Sequence, residues 1–267
     1  MGGRTARQPI IYKSRREIEL MRNAGRLVFE VHQAVGERVR PGVDTAELNE
    51  VAEEMIAAAG AEPLFKGVEN KQASFPFPAA LCISVNDEVV HGIPSSRTLR
   101  EGDIVSVDCG VRLKRYCGDA ATTHAVGQVS PEVRRLLDVT RETLALAIAE
   151  SRSGVMWSSV AREMQRLVES NGFSVVREFV GHGIGQGMHE EPKVPNFTDR
   201  KQRKNDYELR PGLTIAVEPM VNMGTADVAY ADASKWTVVT KDGGWAAHYE
   251  HTIAVTTNGA DVLTDGR

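Results

Sequence analysis

Two aspartates, Asp108 and Asp119, sit in neighbouring strand-like stretches, Ile104 to Cys109 and Tyr116 to Val126. Strand side chains alternate, so residues 104, 106 and 108 share a face. A turn centred on Leu113-Lys114 sets Asp108 directly opposite Asp119, with Cβ atoms roughly 5 Å apart. Like charges facing each other on a pleated surface are destabilising unless the pair shares a proton or holds a cation between them. A divalent cation is the simpler of the two. The bland reading is that one Asp belongs to the turn and points to water. Against it, Asp108 ends an apolar strand and Asp119 lies between Gly118 and Ala120-Ala121, small residues that leave room around a carboxylate.

Gly181-His182-Gly183-Ile184-Gly185-Gln186-Gly187-Met188-His189-Glu190-Glu191-Pro192 is the second chemical stretch. Its glycines permit close backbone approaches. They place His182 and His189 on a loop-like scaffold, not at the helical spacing of an HExxH zinc site. A phosphate cradle fails on pattern, because neither GxxxxGK[ST] nor a strand followed by GxGxxG is present. His91 stands beside a tight turn in His91-Gly92-Ile93-Pro94; a lone histidine there is more often structural than catalytic. Glu218 ends one hydrophobic strand and Glu250 precedes another. Four carboxylates with a histidine suit Mn, Fe, Co or Zn, and exceed what one ion needs, which points to two divalent ions bridged by shared carboxylates.

The elements that must position these residues follow the same plan twice. Ile18, Met21, Gly25, Val28, Val31 and Val35 mark one helical face across 14–39, closed by Arg40-Pro41-Gly42. Asp44, three residues before Glu47, opens a second helix that runs through Ala59 to Gly60. Strand-like stretches follow at Leu81 to Val85 and in the acidic pair. Ser130-Pro131 then starts a helix with proline at its tolerated first position. Another helix runs from Val155 to Ser170, before strands at Leu213 to Glu218, Trp236 to Thr240 and Thr252 to Thr256. Leu99-Arg100-Glu101-Gly102 leads to Asp108 as Leu209-Arg210-Pro211-Gly212 leads to Glu218, each acid ending an apolar strand. Arg40-Pro41-Gly42-Val43 is echoed by Arg152-Ser153-Gly154-Val155. The rhythm predicts an α+β chain made of pseudo-repeats over about 14–127 and 130–257.

Length and composition narrow the class. The chain has 267 residues, 42% hydrophobic and 25% charged, with a net charge of −4. These are ordinary globular values, and the mild charge gives no reason for wholesale nucleic-acid or membrane binding. No apolar run reaches the ~18 residues of a membrane span. Residues 1–11 read as a flexible arm and not a secretory signal, with residues 12–267 as one catalytic domain. Met1-Gly2 does not continue into a myristoylation motif, because Ala6 stands where Ser or Thr is needed. Cys82, Cys109 and Cys117 have neither even number nor CxxC spacing, which predicts a reducing, cytoplasmic setting without disulfides.

Val85-Asn86-Asp87-Glu88-Val89-Val90-His91-Gly92-Ile93-Pro94, the paired aspartates, Gly181 to Pro192, Val217-Glu218-Pro219-Met220 and Tyr249-Glu250-His251-Thr252 together resemble type I methionine aminopeptidases, over roughly residues 12 to 257. The resemblance implies the pita-bread fold, with two pseudo-symmetric halves around an antiparallel sheet. It implies removal of the initiator methionine from nascent proteins, with a small second residue preferred. Asp108, Asp119, His182, Glu218 and Glu250 would be the metal ligands, Asp119 and Glu250 bridging two ions ~3.5–4 Å apart. Glu218 would shuttle the proton, His189 would stabilise the oxyanion, and His91 would contact the scissile amide or leaving nitrogen. Cys82 and Trp236 match the family's methionine pocket. The stretch Ser74-Phe75-Pro76-Phe77-Pro78, which supplies Phe77, and Met188 depart from it: relatives often carry tyrosine or histidine in that stretch and phenylalanine at the place of Met188. The pocket stays apolar, so methionine remains the expected side chain while its fine shape changes. The family also suggests a monomer.

Two other readings compete. One is a different hydrolase on this fold, such as an Xaa-Pro aminopeptidase; the absence of an extra N-terminal domain disfavours it, as the short span between His189 and Glu218 disfavours type II enzymes. The other is a non-catalytic binding protein, which would lose ligands first, whereas all five positions are filled. Arg200, Lys201, Arg203 and Lys204 form either a solvated loop or a contact with the ribosome near the exiting chain. Met1-Gly2 is itself a suitable substrate, so the mature protein is expected to begin at Gly2.

Overall fold

The structure is a computed structural model that describes residues 9–267, apart from the side chain of Lys201. The readings made on Met1-Gly2 and Ala6, and most of the expected arm, lie outside the described residues. Helix α1 spans Arg15–Gly36. Its N-cap Ser14 receives the Glu17 N–H at 3.4 Å, and Glu17 accepts the Ser14 N–H at 2.7 Å, which satisfies two donors that the helix start leaves free. Its buried stripe is Met21, Ala24, Leu27, Val28, Val31 and Val35. Helix α2 (Thr45–Ala58) follows, then α3 (Pro131–Glu150), α4 (Trp157–Ser170) and the short α5 (Arg200–Lys204).

Among the described residues the main sheet has nine strands, all paired antiparallel. Its central order is Ile104–Leu113, Tyr116–Ala125, Glu250–Val255, Thr214–Val217, Gly181–Gly183 and Glu190–Val194. Leu81–Val85 and Glu62–Pro63 flank the first of these, and Ala260–Val262 pairs with Glu250–Val255. One apolar core joins α1 and α2 to the first strands; a second joins α3 and α4 to the later ones. Two three-stranded sheets cap one side of the site. One comprises Ser174–Val175, Met220–Asn222 and Ala246–His248, the other Glu88–Val90, Val228–Tyr230 and Val238–Thr240.

The repeated plan holds at the level of single hydrogen bonds. The Gly42 N–H donates to the Leu99 carbonyl (2.8 Å) and the Leu99 N–H to the Val43 carbonyl (2.8 Å). In the second half Gly154 donates to Leu209 (2.9 Å) and Leu209 to Val155 (2.8 Å). Gly102 (φ +93°) donates to Val126 as Gly212 (φ +89°) donates to Val255, each at 2.9 Å. Positive φ is why glycine recurs there. The two halves are pseudo-symmetric, and the sheet runs continuously between them.

Two local expectations change. The acidic hairpin turns at Lys114-Arg115, with Leu113 paired to Tyr116. These two residues take φ +49° and +77°, as a two-residue primed turn requires. Asp108 therefore faces Ala121, and Asp119 faces Gly110. The partner moves by an even number of residues, so both acids keep the same face but become diagonal neighbours. The glycine-rich stretch also begins as a sheet strand, Gly181–Gly183, and not as a loop. A Cβ at Gly181 would lie 2.3 Å from the Ala216 carbonyl oxygen, and one at Gly183 would lie 2.3 Å from that of Glu191. Here glycine serves close strand packing.

The same device joins α1 to the hairpin. A Cβ at Gly118 would meet the Gly25 nitrogen at 2.7 Å, and one at Gly25 would meet the Leu263 carbonyl oxygen at 2.0 Å. Gly25→Ala should therefore destabilise the protein by about 1–3 kcal/mol in urea unfolding, through overpacking. Helix propensity alone calls for a gain of up to about 1 kcal/mol, so the sign of the change decides whether this approach is real.

Candidate metal centre

Sheet register places the five expected ligands on one face. Asp108 pairs with Ala121, and Ala121 with Glu250, so a single rung carries both acids with a methyl group between them. Asp119 lies two residues before Ala121 and so shares its face. Thr252, two residues after Glu250, pairs with Ala216, which also pairs with His182. Glu218 follows two residues after Ala216, just past the strand end. Asp119, His182 and Glu250 each offer a ligand atom within 4.8 Å of the others. The His182 Nε2 lies 3.6 Å from Glu218 Oε1 and 3.9 Å from Asp119 Oδ2. Asp108 and Asp119 are close enough to share a proton.

This concentration of acid is costly without a cation. Asp119 and Glu250 are each only 3% exposed. Burial, opposed by hydrogen bonds from Ala120 and Asp108, leaves the Asp119 carboxyl raised to about 7. Burial and the neighbouring Asp119 raise Glu218 to about 8. Asp108 and Glu250 move upward for the same reasons, burial first and the other acids second. Asp108 Oδ1, Asp119 Oδ1 and Glu250 Oε1 are buried without any hydrogen-bond partner. Buried polar atoms are nearly always paired, so three orphaned carboxylate oxygens on one face fit a bound cation.

His182 fits the same role. Burial lowers its pKa to about 4, which keeps the imidazole neutral. Its Nδ1–H donates to the Gly183 carbonyl at 3.0 Å, fixing the tautomer that turns the Nε2 lone pair toward the acids. Thr252 steadies Asp119 from behind: its hydroxyl accepts the Asp119 N–H at 3.0 Å and donates to the Asp119 carbonyl at 2.8 Å.

The remaining expected residues line one cavity of about 630 Å³ with these acids. The His189 ring stands 4.4 Å from that of His182, nearly edge-on. His91 occupies the far side at φ +58°, a conformation a β-carbon disfavours, with its ring edge-on to Phe179 at 5.3 Å. Phe77, Cys82 and Trp236 form a buried apolar cluster, the Phe77 and Trp236 rings 5.2 Å apart. Met188 lines the same cavity. Glu190 links His189 to the rest of the fold. It forms a buried ion pair with Lys13 and accepts the Gly187 N–H at 3.0 Å.

Among the lining residues that sequence reading missed are Phe65, Phe179 and His248. His248 is 2% exposed, and its unpartnered Nε2 lies 3.9 Å from Glu250 Oε2. Its spacing of two from Glu250 was the available signal, since strand alternation sets such pairs on one face. Phe65 and Phe179 carry no such signal.

A sequence model of metallopeptidase family M24 matches residues 19–257. The chain belongs to this family. A methionine aminopeptidase of Clostridium perfringens is 48% identical over 255 residues, covering 96% of this chain and 98% of the relative. The crystal structure of the Thermotoga maritima methionine aminopeptidase superposes with a TM-score of 0.89 at 39% identity, covering 96% of this chain and 99% of that one. The prolidase of Pyrococcus furiosus, at 20% identity and TM-score 0.72, covers 95% of this chain and 65% of its own, and shows the shared fold alone. This M24 metallopeptidase therefore has the pita-bread fold and uses divalent metal, and its buried acids form the donor set suited to it. No helix among the described residues is long and apolar enough to cross a membrane.

The raised carboxyl pKa values give a signed prediction for the ion-free protein. A carboxyl whose folded pKa lies above its unfolded value favours folding below the unfolded range, and that contribution is lost as pH rises through the folded pKa. The melting temperature of chelator-treated protein should fall between about pH 6 and about pH 8.5, and saturating Mn²⁺ should remove most of the fall. Calorimetric titration near pH 6.5 in buffers of different ionisation enthalpy should show proton release as Mn²⁺ binds. Binding without proton release would mean these acids are already ionised.

Proposed function

We propose that this chain removes the N-terminal methionine from newly made proteins. The observation that carries this reading is an apolar pocket of Phe77, Cys82 and Trp236 sharing one cavity with the acids and four histidines. One unbranched apolar side chain fits beside a hydrolytic centre. The relatives' printed name, methionine aminopeptidase, supports the same substrate over the Xaa-Pro alternative.

Asp108, Asp119, His182, Glu218 and Glu250 would hold two divalent ions of Co, Mn, Fe or Zn, with Asp119 and Glu250 shared between them. When bound, such ions supply Lewis acidity and water that ionises near neutral pH. Glu218 takes the proton of the attacking water and returns it to the departing amine; its raised pKa in the ion-free protein reflects how strongly burial favours the protonated form. His189 donates to the oxyanion that develops on the scissile carbonyl, and His91 contacts the scissile nitrogen. Cys82, Phe77, Trp236 and Met188 receive the methionine side chain, and the enclosed site favours a small second residue.

The enzyme works as a cytoplasmic monomer, consistent with three unpaired, buried cysteines. Its basic run forms α5, capped by Asp199, whose carboxylate accepts the Gln202 N–H at 2.6 Å. Arg200, Lys201, Arg203 and Lys204 would face the ribosome, bringing the cavity close to the emerging chain.

Chelation should abolish cleavage of a Met-Ala-Ser peptide, and Mn²⁺ or Co²⁺ should restore it. Glu218→Gln should lower kcat by about 10²–10⁴ and His189→Ala by about 10²–10³ in the metal-loaded, folded proteins. Faster cleavage of Ala-Pro than of Met-Ala peptides would overturn the substrate assignment. Reversing the four α5 charges should weaken ribosome cosedimentation in a salt-dependent way, and unchanged pelleting would remove the ribosome from the account.

A further inference from the structure

The cavity extends past the acids and the methionine pocket to a built rim. Residues Glu69, Asn70, Lys71 and Gln72 form one side of this mouth, with Tyr230 and Lys235 on the other. Two side-chain hydrogen bonds stitch the sides together. Asn70 Nδ2–H donates to the Lys235 carbonyl at 3.1 Å, and Trp236 Nε1–H donates to the Phe75 carbonyl at 2.8 Å. Asn70 Oδ1 also accepts the Gln72 N–H at 3.0 Å, which folds the segment into an Asx turn. The mouth is therefore held in one shape, and the same contacts tie it to Trp236 of the pocket.

Its chemistry differs from that of the interior. Tyr230, among the few large hydrophobic side chains exposed on the described surface, is 40% accessible. The Lys235 ammonium lies 5.1 Å from the Tyr230 ring centroid, a cation–π contact that holds the charge beside the opening. Lys71 adds a second ammonium, and Glu69 is the one acid on this part of the lining. Asp232, near Lys235, stands outside the lining, and its carboxylate accepts the Ser234 N–H at 2.7 Å. The lining of the mouth thus offers the Tyr230 ring and two cations against Glu69, with Asp232 beside Lys235 just outside it.

A peptide whose first side chain fills the pocket has its amino end buried, so its remaining residues must leave through this opening. We infer that the rim formed by Lys71, Tyr230 and Lys235 is a subsite for the third and following residues of the substrate chain, and that it favours acidic side chains there. The inference rests on the aminopeptidase reading and deepens it. Exposed aromatic rings grip extended backbone with little dependence on sequence, because their amphipathic faces suit a half-wet surface. The ammonium groups supply a charge preference of roughly two- to five-fold each, the range of exposed ion pairs, which salt should weaken.

The test compares kcat/KM of the Mn²⁺-loaded enzyme on Met-Ala-NH₂, which ends short of the rim, with Met-Ala-Glu-Glu-Ser-NH₂ and Met-Ala-Lys-Lys-Ser-NH₂. At about 20 mM salt the acidic peptide should exceed the basic one by at least about four-fold, and the margin should shrink at about 300 mM. The double variant Lys71→Glu, Lys235→Glu should reverse the order. Tyr230→Ala should raise KM for both longer peptides relative to Met-Ala-NH₂. Equal cleavage of the two charged peptides by wild type and double variant, with Met-Ala-NH₂ still turned over, would overturn the subsite alone. No cleavage of Met-Ala-NH₂ would instead overturn the aminopeptidase reading, and the subsite with it.

Discussion

Four carboxylates on one face of a sheet, Asp119 and Glu250 buried and Asp108 and Glu218 half-buried, repel one another and have lost much of the water that would stabilise their charge. Such a group is tolerable only if protons or cations neutralise it, and the fold is arranged around that demand. The acids come from the hairpin and from the strands ending or starting at Glu218 and Glu250, so neither half of the chain can assemble the set alone. Small residues opposite the acids, Gly110 and Ala121, leave the space a cation needs. The orphaned oxygens mark where protein groups stop supplying partners. In energetic terms the centre is a liability of the ion-free fold that metal binding converts into a link between the two halves.

Rigidity around the centre comes from contacts directed at backbone. Thr252 holds both polar groups of the Asp119 backbone, Gly183 fixes the His182 tautomer, and Asn196 donates to the Glu218 carbonyl at 2.9 Å. Thr123 does the same for His248, accepting its N–H and donating to its carbonyl, both at 2.8 Å. These contacts leave the carboxylate and imidazole atoms that face the centre free while restricting their positions, as a metal site would require of its surroundings. The buried Lys13–Glu190 pair extends the logic to His189, tying the approach to α1 to the histidine stretch.

The apolar side of the cavity is built by different elements. Phe77 comes from the segment before Leu81–Val85, Trp236 from the approach to Val238–Thr240, and His91 from the end of Glu88–Val90. The pocket is therefore supported by a small sheet and a hydrogen-bonded segment, while the main sheet carries the acids.

What the sequence by itself determined is the set of chemical groups, their order, and the face on which each lies. These follow from local rules: helix stripes at 3.6 residues, alternation along strands, and glycine where φ turns positive. The face shared by Asp108 and Asp119 survived a misplaced hairpin turn, because an even shift in register leaves alternation intact. Tertiary structure decided what local rules cannot reach. Which residues face one another across the hairpin depended on Lys114 and Arg115 accepting positive φ, a choice their side chains do not advertise. That His182 lies on a strand, not in a loop, depended on its neighbours in the sheet. His248, Phe65, Phe179 and the stitched mouth likewise arise where distant segments meet, and such meetings are set by long-range pairing and packing that no short window of sequence contains.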